Sequence, residues 1–253
     1  MATVPSFISE FETAWNTTTS PKTTGNITTQ VGDVLVVAAC CEFGGTNPAF
    51  NTPTNTGTAE TWSLQQAIEN TNGQSSAAAI WTTVCAVAQT MTVSLTRNAA
   101  AQEFGFNVLQ FRGSNGVGAS NKATAKDAAA TVNVTTTQAN SAIVGIVADW
   151  EATSATVTWP AGLGTWTKQT TFDDTAYSVH VAWLSDSGAI GSKTVNPVLA
   201  NSLPDYSLIV VEVKGAASTW TSDQFPRGIC APPLPQHTQT IMVPSGSGPG
   251  RGI

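Results

Sequence analysis

Asp33-Val-Leu-Val-Val-Ala-Ala39 is an apolar run with no polar residue between its valines and alanines, and Leu208-Ile-Val-Val211 repeats the pattern near the far end of the chain. A strand with one wet face alternates apolar and polar residues. A continuous run marks a strand covered on both faces. Other stretches do alternate, as in Ala79-Ile-Trp-Thr-Thr-Val84 and Tyr177-Ser-Val-His-Val-Ala182, and these predict strands whose two faces differ. Between them lie Gly44-Gly-Thr-Asn-Pro48, Thr52-Pro-Thr-Asn-Thr-Gly57 and Pro160-Ala-Gly-Leu-Gly164, which carry turn and loop chemistry. Helical character is confined to the short stretch Ala123 to Ala130. The expected class is all-β.

Outward from the first apolar run, the chain states one series of landmarks twice. Asn26-Ile-Thr-Thr-Gln30, the apolar run, Trp62-Ser-Leu-Gln65, an alternating strand, Thr90-Met-Thr-Val-Ser-Leu95 and Phe104-Gly-Phe-Asn-Val-Leu-Gln-Phe-Arg-Gly113 come first. Asn133-Val-Thr-Thr-Thr-Gln138, Ser141-Ala-Ile-Val-Gly-Ile-Val147, Trp166-Thr-Lys-Gln169, an alternating strand, Ser192-Lys-Thr-Val-Asn-Pro-Val198 and Tyr206-Ser-Leu-Ile-Val-Val-Glu-Val-Lys-Gly215 follow in the same order. The spacing is 108 residues from Gln30 to Gln138, 104 from Trp62 to Trp166 and 102 from Gly113 to Gly215, a drift that loop insertions produce. The predicted organisation is one unit over residues 1–215, built from repeats 14–113 and 119–215, with Ser114-Asn-Gly-Val-Gly118 as the turn between them. Two separate sandwiches would satisfy this pattern. An interleaved, jelly-roll-like antiparallel sandwich is the preferred reading, because the link between the repeats is short. Residues 216–253 change character, with six prolines from Pro226 to Pro249 among Gly and Ser, and read as an extended arm. Within the arm, Gln239, Thr240, Ile241, Met242 and Val243 form a segment able to add to a neighbouring sheet edge.

Composition narrows the function. Only 10% of the 253 residues are charged, against roughly 25% in ordinary soluble domains, so Thr, Ser, Asn, Gln, Ala and Gly cover the surface. The net charge is −6 and no Lys/Arg cluster exists to meet phosphates, which argues against nucleic-acid binding. No stretch has the length of a membrane-spanning helix, and the N-terminal residues read without a secretory signal. Delivery outside a cell would then be as part of a particle released by lysis. Cys40, Cys41, Cys85 and Cys230 match no zinc spacing and read as buried, reduced thiols; Cys40 and Cys41 should face opposite sides of their strand.

Catalysis needs a base, a nucleophile or a metal among convergent polar groups. His180 sits on a strand face opposite Val179 and Val181, His237 lies in the arm, and neither has a nearby catalytic partner in the sequence. Asp173, Asp174 and Asp186 lack the ligand spacing of a calcium loop. No catalytic residue, cofactor or metal is expected. Of eight tryptophans, Trp62 and Trp166 are repeat equivalents suited to core packing. Trp159, in Thr158-Trp-Pro-Ala-Gly162, is the candidate for a loop aromatic that stacks on a glycan or anchors an interface.

Ser20-Pro-Lys-Thr-Thr24, Gly32-Asp-Val-Leu-Val-Val37, Gln89-Thr-Met-Thr-Val93, Phe106-Asn-Val-Leu-Gln-Phe-Arg-Gly113, Thr135-Thr-Thr-Gln-Ala-Asn-Ser-Ala142 and Val211-Glu-Val-Lys-Gly215 together resemble a module of virion structural proteins from tailed phages of actinobacteria, of the minor tail type. The resemblance covers most of residues 6–215 and leaves the arm unmatched. Its motifs are packing and turn signatures, so it carries over no active site. It implies a non-enzymatic component on the outside of a virion, partnered by other virion proteins and assembled as a homo-oligomer such as a trimer. A capsid decoration protein, a carbohydrate-binding module contacting a host-surface glycan and a glycan-cleaving enzyme stand as alternatives.

Overall fold

The computed structural model describes residues 3–216 apart from 16, 43–47, 71–75, 99–102, 150–155, 174–176 and 201–203. In chain order the first half forms β1 (Ser6–Glu12), β2 (Lys22–Thr23), β3 (Ile27–Thr28), β4 (Val34–Glu42), β5 (Thr54–Asn55), β6 (Ser63–Asn70), β7 (Ser76–Val84), β8 (Thr90–Met91), β9 (Val93–Leu95) and β10 (Phe104–Arg112). The second half forms β11 (Ser114–Ala125), β12 (Val132–Thr136), β13 (Ala142–Asp149), β14 (Val157–Thr158), β15 (Trp166–Asp173), β16 (Ser178–Leu184), β17 (Gly191–Val195), β18 (Val198–Leu199) and β19 (Tyr206–Gly215). All pairing between these strands is antiparallel. One five-stranded sheet has the order β1-β10-β4-β7-β6 and the other β11-β19-β13-β16-β15. Short strands form the ribbons β2-β9-β5 and β3-β8 beside the first sheet, and β12-β17 and β14-β18 beside the second.

The doubly buried apolar runs explain how these sheets stack. Along β4, Val34, Val36, Ala38 and Cys40 point into one cluster, which they share with Val144, Ile146 and Ala148 of β13 and Ile209, Val211 and Val213 of β19. Leu35, Val37, Ala39 and Cys41 point the other way and meet Ile27, Met91, Val93 and Leu95 of the short ribbons. Sheet 2 likewise turns Ile143, Val147, Leu208 and Val210 towards Val132, Val134, Val157, Val195 and Leu199. The unit is therefore a four-layer stack in which the two large sheets lie face to face and a thin layer of short strands covers each outer side. Val34 to Cys41 of β4 are all buried whichever way they point, which is why the run does not alternate. Cys40 and Cys41 take opposite faces, as their adjacency requires.

The two sheets correspond strand for strand, and so do their irregularities. The β6–β7 ladder slips between Leu64 and Gln66, and the β15–β16 ladder slips between Lys168 and Thr170, so Gln65 and Gln169 occupy the same bulge. Gly32 and Asn140, in the turns before β4 and β13, both have left-handed backbone, with φ of 84° and 56°. Cys85 and Ser187 each donate their N–H to the carbonyl that opens the apolar strand, at Asp33 and Ser141.

Four sequence expectations need correction. Neither large sheet takes strands from both repeats, so the interleaved jelly-roll arrangement does not form; each repeat makes its own sandwich, and the two share a face. The repeats also begin earlier than residues 14 and 119, because β1 and β11 belong to them. Ser114 to Gly118 is strand, not turn, and Gly113 alone separates β10 from β11. Residues 123–125 complete β11 instead of opening a helix, because they pair with Tyr206, Ser207 and Leu208 of β19. The arm, with Gln239, Thr240, Ile241, Met242 and Val243, lies outside the described residues, as do Cys230 and His237.

Candidate functional site

Trp159 follows the two-residue strand β14 and precedes Pro160 and a short 3-10 turn, Ala161–Leu163. It is not the exposed loop aromatic its setting suggests, being only 5% exposed. Its ring stacks on Trp166, with centroids 4.8 Å apart and 22° between planes. Its benzo edge meets the backbone of Gly145, where a Cβ would lie 2.8 Å from Cζ3. Sheet 1 shows why. There the matching cross-strand pair is Val37 and Trp81, which fills the space under the short strands. Sheet 2 has Gly145 opposite Ala182, so the pair leaves a hole and Trp159 fills it from the loop side. Packing density of an ordinary protein interior demands such compensation. The signal was present in the sequence: Gly145 interrupts an otherwise bulky run at the position of Val37.

Two shallow hollows, of about 440 and 470 Å³, flank this tryptophan. Pro160, Leu163, Asn196 and Val198 line the first, and Thr165, Trp166 and Lys168 the second, with Thr158 and Ala161 common to both. The lining holds one charged side chain, Lys168, and no carboxylate. With one face on Trp166 and an edge on Gly145, the Trp159 ring offers little surface on which a sugar could stack.

The buried ionisable groups hold the chain together. Burial alone would raise the pKa of Asp33, but the Arg112 guanidinium, the Gln30 N–H and the Gln110 amide outweigh it and hold the carboxyl below its ordinary value. Both Arg112 nitrogens that reach Asp33 lie at 2.8 Å, a bidentate pair. Glu212 does the same work from the opposite strand. It accepts from the N–H groups of Ala119, Thr137 and Gln138 and from the hydroxyls of Thr137 and Ser141 at 2.7–3.0 Å. These bonds overcome the effect of burial and keep its pKa low. Gln30 and Gln138 are repeat equivalents, so one carboxylate ties down each equivalent turn, though the two acids sit on different strands.

Glu10 lies where β1 meets β15 and accepts from Asn107 and Thr170. Burial pushes its pKa up, the two hydrogen bonds oppose this, and Glu12 adds repulsion. His180 is 1% exposed, on the face of β16 turned away from the central core, and its Nδ1 has no hydrogen-bond partner among the described residues. Burial and the Lys168 charge lower its pKa from 6.5 to about 4, so it is neutral at physiological pH. Ser178 is its neighbour two positions back along β16, and Asp149 lies opposite Ser178 on β13. All three are buried, so this serine, histidine and aspartate offer a substrate no access. Cys85, also buried, has its thiol pKa raised to about 12 by burial and by Glu60, which leaves little nucleophilic thiolate. Asp173 and Asp186 are exposed. Among the described residues no group of three or more His, Cys, Asp or Glu is placed to hold a metal ion, and no helix is long and apolar enough to cross a membrane. No family model, curated protein or solved structure matches the chain.

Proposed function

We propose that the chain is a non-enzymatic structural component of the outside of a bacteriophage virion, of the minor tail type, with a head decoration protein as the alternative placement. The observation that carries this reading is how the fold uses its few ionisable groups. Asp33, Glu212 and Arg112 are committed to fixing turns and strand ends, and Glu10 to joining the two large sheets. The outward faces of the covering ribbons carry neutral hydroxyl and amide pairs, Thr23 with Ser94, Thr28 with Thr90, Thr56 with Thr92 and Thr194 with Asn133. Such a body is stiff, uncharged at its broad faces and suited to presenting surface and spacing neighbours. Its partners are other virion proteins, engaged through sheet surfaces and the C-terminal arm, and its place is the virion. The test is immuno-electron microscopy of purified particles, comparing the full chain with one ending at residue 216. Labelling of particles by the full chain and its loss with the shortened chain is the expected result; unlabelled particles in both cases would overturn the reading.

A further inference from the structure

The two repeats control for each other. A side chain that the fold requires should recur at the equivalent position, whereas one kept for chemistry need not. Glu10, Asn107 and Thr170 meet in the seam where the two large sheets lie face to face. Register puts them there: Glu10 stands opposite Leu109 and Thr170 opposite Val181, and both partners belong to the central cluster. Phe7, Phe111 and Trp183 pack together on one side of the trio. Trp15, Phe172 and Tyr177 pack on the other. Asn107 and Thr170 are 0% and 3% exposed, so water is kept from the point where they touch.

The equivalent corner is built differently. Gln65 and Gln169 share a bulge, so Thr170 answers to Gln66. Gly113 matches Gly215, so Asn107 answers to Ile209, and Glu10, opposite Leu109, answers to Ser120, opposite Val211. There the halves are joined by a hydrogen bond from the Gln66 amide to Ser120 Oγ at 3.0 Å. The fold therefore makes this junction without a carboxyl, and with isoleucine where Asn107 stands. Burying an amide costs free energy unless its hydrogen bonds are made, and Asn107 Oδ1 has no partner among the described residues.

Glu10 Oε1 accepts both from the Thr170 hydroxyl, at 3.2 Å, and from the Asn107 amide nitrogen. Its other oxygen is held by Gln169, whose amide, turned so that both ends are satisfied, donates to Oε2 at 2.7 Å and accepts from Trp183 at 2.9 Å. Thr170 Oγ1 lies 2.5 Å from Asn107 Nδ2. The amide carbon is one C–N bond further, hence within about 3.8 Å of the hydroxyl. We propose that the trio forms an ester cross-link between Thr170 Oγ1 and Asn107 Cγ, in a single turnover of the folded chain, tying the two repeats covalently. Glu10 takes the hydroxyl proton as Oγ1 adds to Cγ, then passes it to Nδ2 as the C–N bond breaks. The nitrogen leaves with that proton as ammonia, the carbonyl remains as that of the ester, and Glu10 is again a carboxylate. Burial raises the pKa of Glu10 and makes it a stronger base than a carboxylate in water. Fixed contact between hydroxyl and amide supplies the proximity, and the dry seam shields the ester from hydrolysis. An ester carbonyl is also a weaker acceptor than an amide one, so the unpaired Oδ1 costs less once the link exists. The inference stands apart from the virion reading, since a chain of any role could carry the link.

The test is the intact mass of the full chain, purified and denatured. The unaltered chain should be lighter than its sequence by one ammonia, whereas Thr170→Val and Glu10→Gln should each show the full mass of their own sequences. After trypsin, peptides 98–112 and 169–193 should travel as one species that mild alkali separates. Should a variant fail to fold, the linked peptides of the unaltered chain decide by themselves. An unaltered chain of full mass, with the two peptides separate, would overturn the proposal. So would ammonia loss that persists in Thr170→Val, or a link that forms as completely in Glu10→Gln.

Discussion

His180 is the residue whose titration should be seen in the stability of the whole fold. Its pKa is lowered from 6.5 to about 4, so between those values the unfolded chain binds a proton that the folded chain refuses. Stability is then full above pH 6.5 and falls as the pH drops towards 4, by about 3 kcal/mol over the window at 1.4 kcal/mol per unit. Asp33 and Glu212 act in the same direction but lower down, because their carboxyls are held below the ordinary 3.8 and 4.5. Glu10 acts in the opposite direction: its raised pKa means that the folded state gains a proton first, so acid relieves its burial. Below pH 6.5 His180 is therefore the group whose titration costs the fold stability, and Glu10 works against it. Urea unfolding of the native chain should lose stability as the pH falls from 6.5 towards 4, and His180→Gln should flatten the slope. An equal slope in the variant would show that another group is responsible. Of this chemistry the sequence revealed only that His180 opposes Val179 and Val181; its burial depends on β12, β14, β17 and β18 covering that face.

At the level of strands, the trade between Trp81 and Trp159 is open to a direct test. In sheet 1 a tryptophan on the large sheet fills the space beneath the short strands, whereas in sheet 2 a glycine on the large sheet accepts a tryptophan from the short ones. Trp159→Ala should cost about 3–5 kcal/mol through the cavity it leaves. Gly145→Val should also destabilise, because even its Cβ would sit 2.8 Å from the indole. Together they should cost about 1–3 kcal/mol less than the sum of the two, since valine at 145 restores the residue found at Val37 and enters the vacated space. Additive losses in chemical denaturation would mean that the two sites do not share a volume. The strands themselves were legible in the sequence, because period-two alternation and unbroken apolar runs follow directly from one-sided and two-sided burial. Trp159 was misjudged because a tryptophan beside a proline in a loop looks the same whether the ring turns outward or inward. Only the missing side chain at Gly145, on a strand distant in sequence, decides between them. The length of β11 was also hidden: Ser114-Asn-Gly-Val-Gly118 has the composition of a turn, and tertiary pairing with β19 makes it strand.

For the whole unit, the apolar runs and alternating stretches gave the all-β antiparallel class, but the short covering strands and the way the two large sheets join were not legible in the landmarks. Chain connectivity alone allows strands to interleave, and the decisive fact is that each repeat closes its own five-stranded sheet before the next begins. The contacts between the halves are reciprocal. At one corner β1 meets β15 through Glu10 and Thr170; at the other, β11 meets β6 through Ser120 and Gln66. Since β1 corresponds to β11 and β15 to β6, these are one contact made twice, the mark of a two-fold arrangement. The chain ends obey it as well. At Gly113 the last strand of repeat 1 passes straight into the first strand of repeat 2. At the equivalent Gly215, the last strand of repeat 2 comes alongside the start of repeat 1, where Thr3 and Ala216 exchange both backbone hydrogen bonds at 2.9 Å. One junction is covalent, and the other is closed by two backbone hydrogen bonds. A chain that begins at Ser114, runs to Ala216, crosses to Thr3 through a short Gly/Ser linker and ends at Gly113 should therefore fold to the same stack. Its melting temperature should fall within a few degrees of the unaltered 3–216 unit, because it exchanges one short connection for another. A permuted chain that is unfolded, or that melts far below its parent, would mean that the covalent link at Gly113 does something the bridge at Ala216 cannot, and the two halves would not be equivalent.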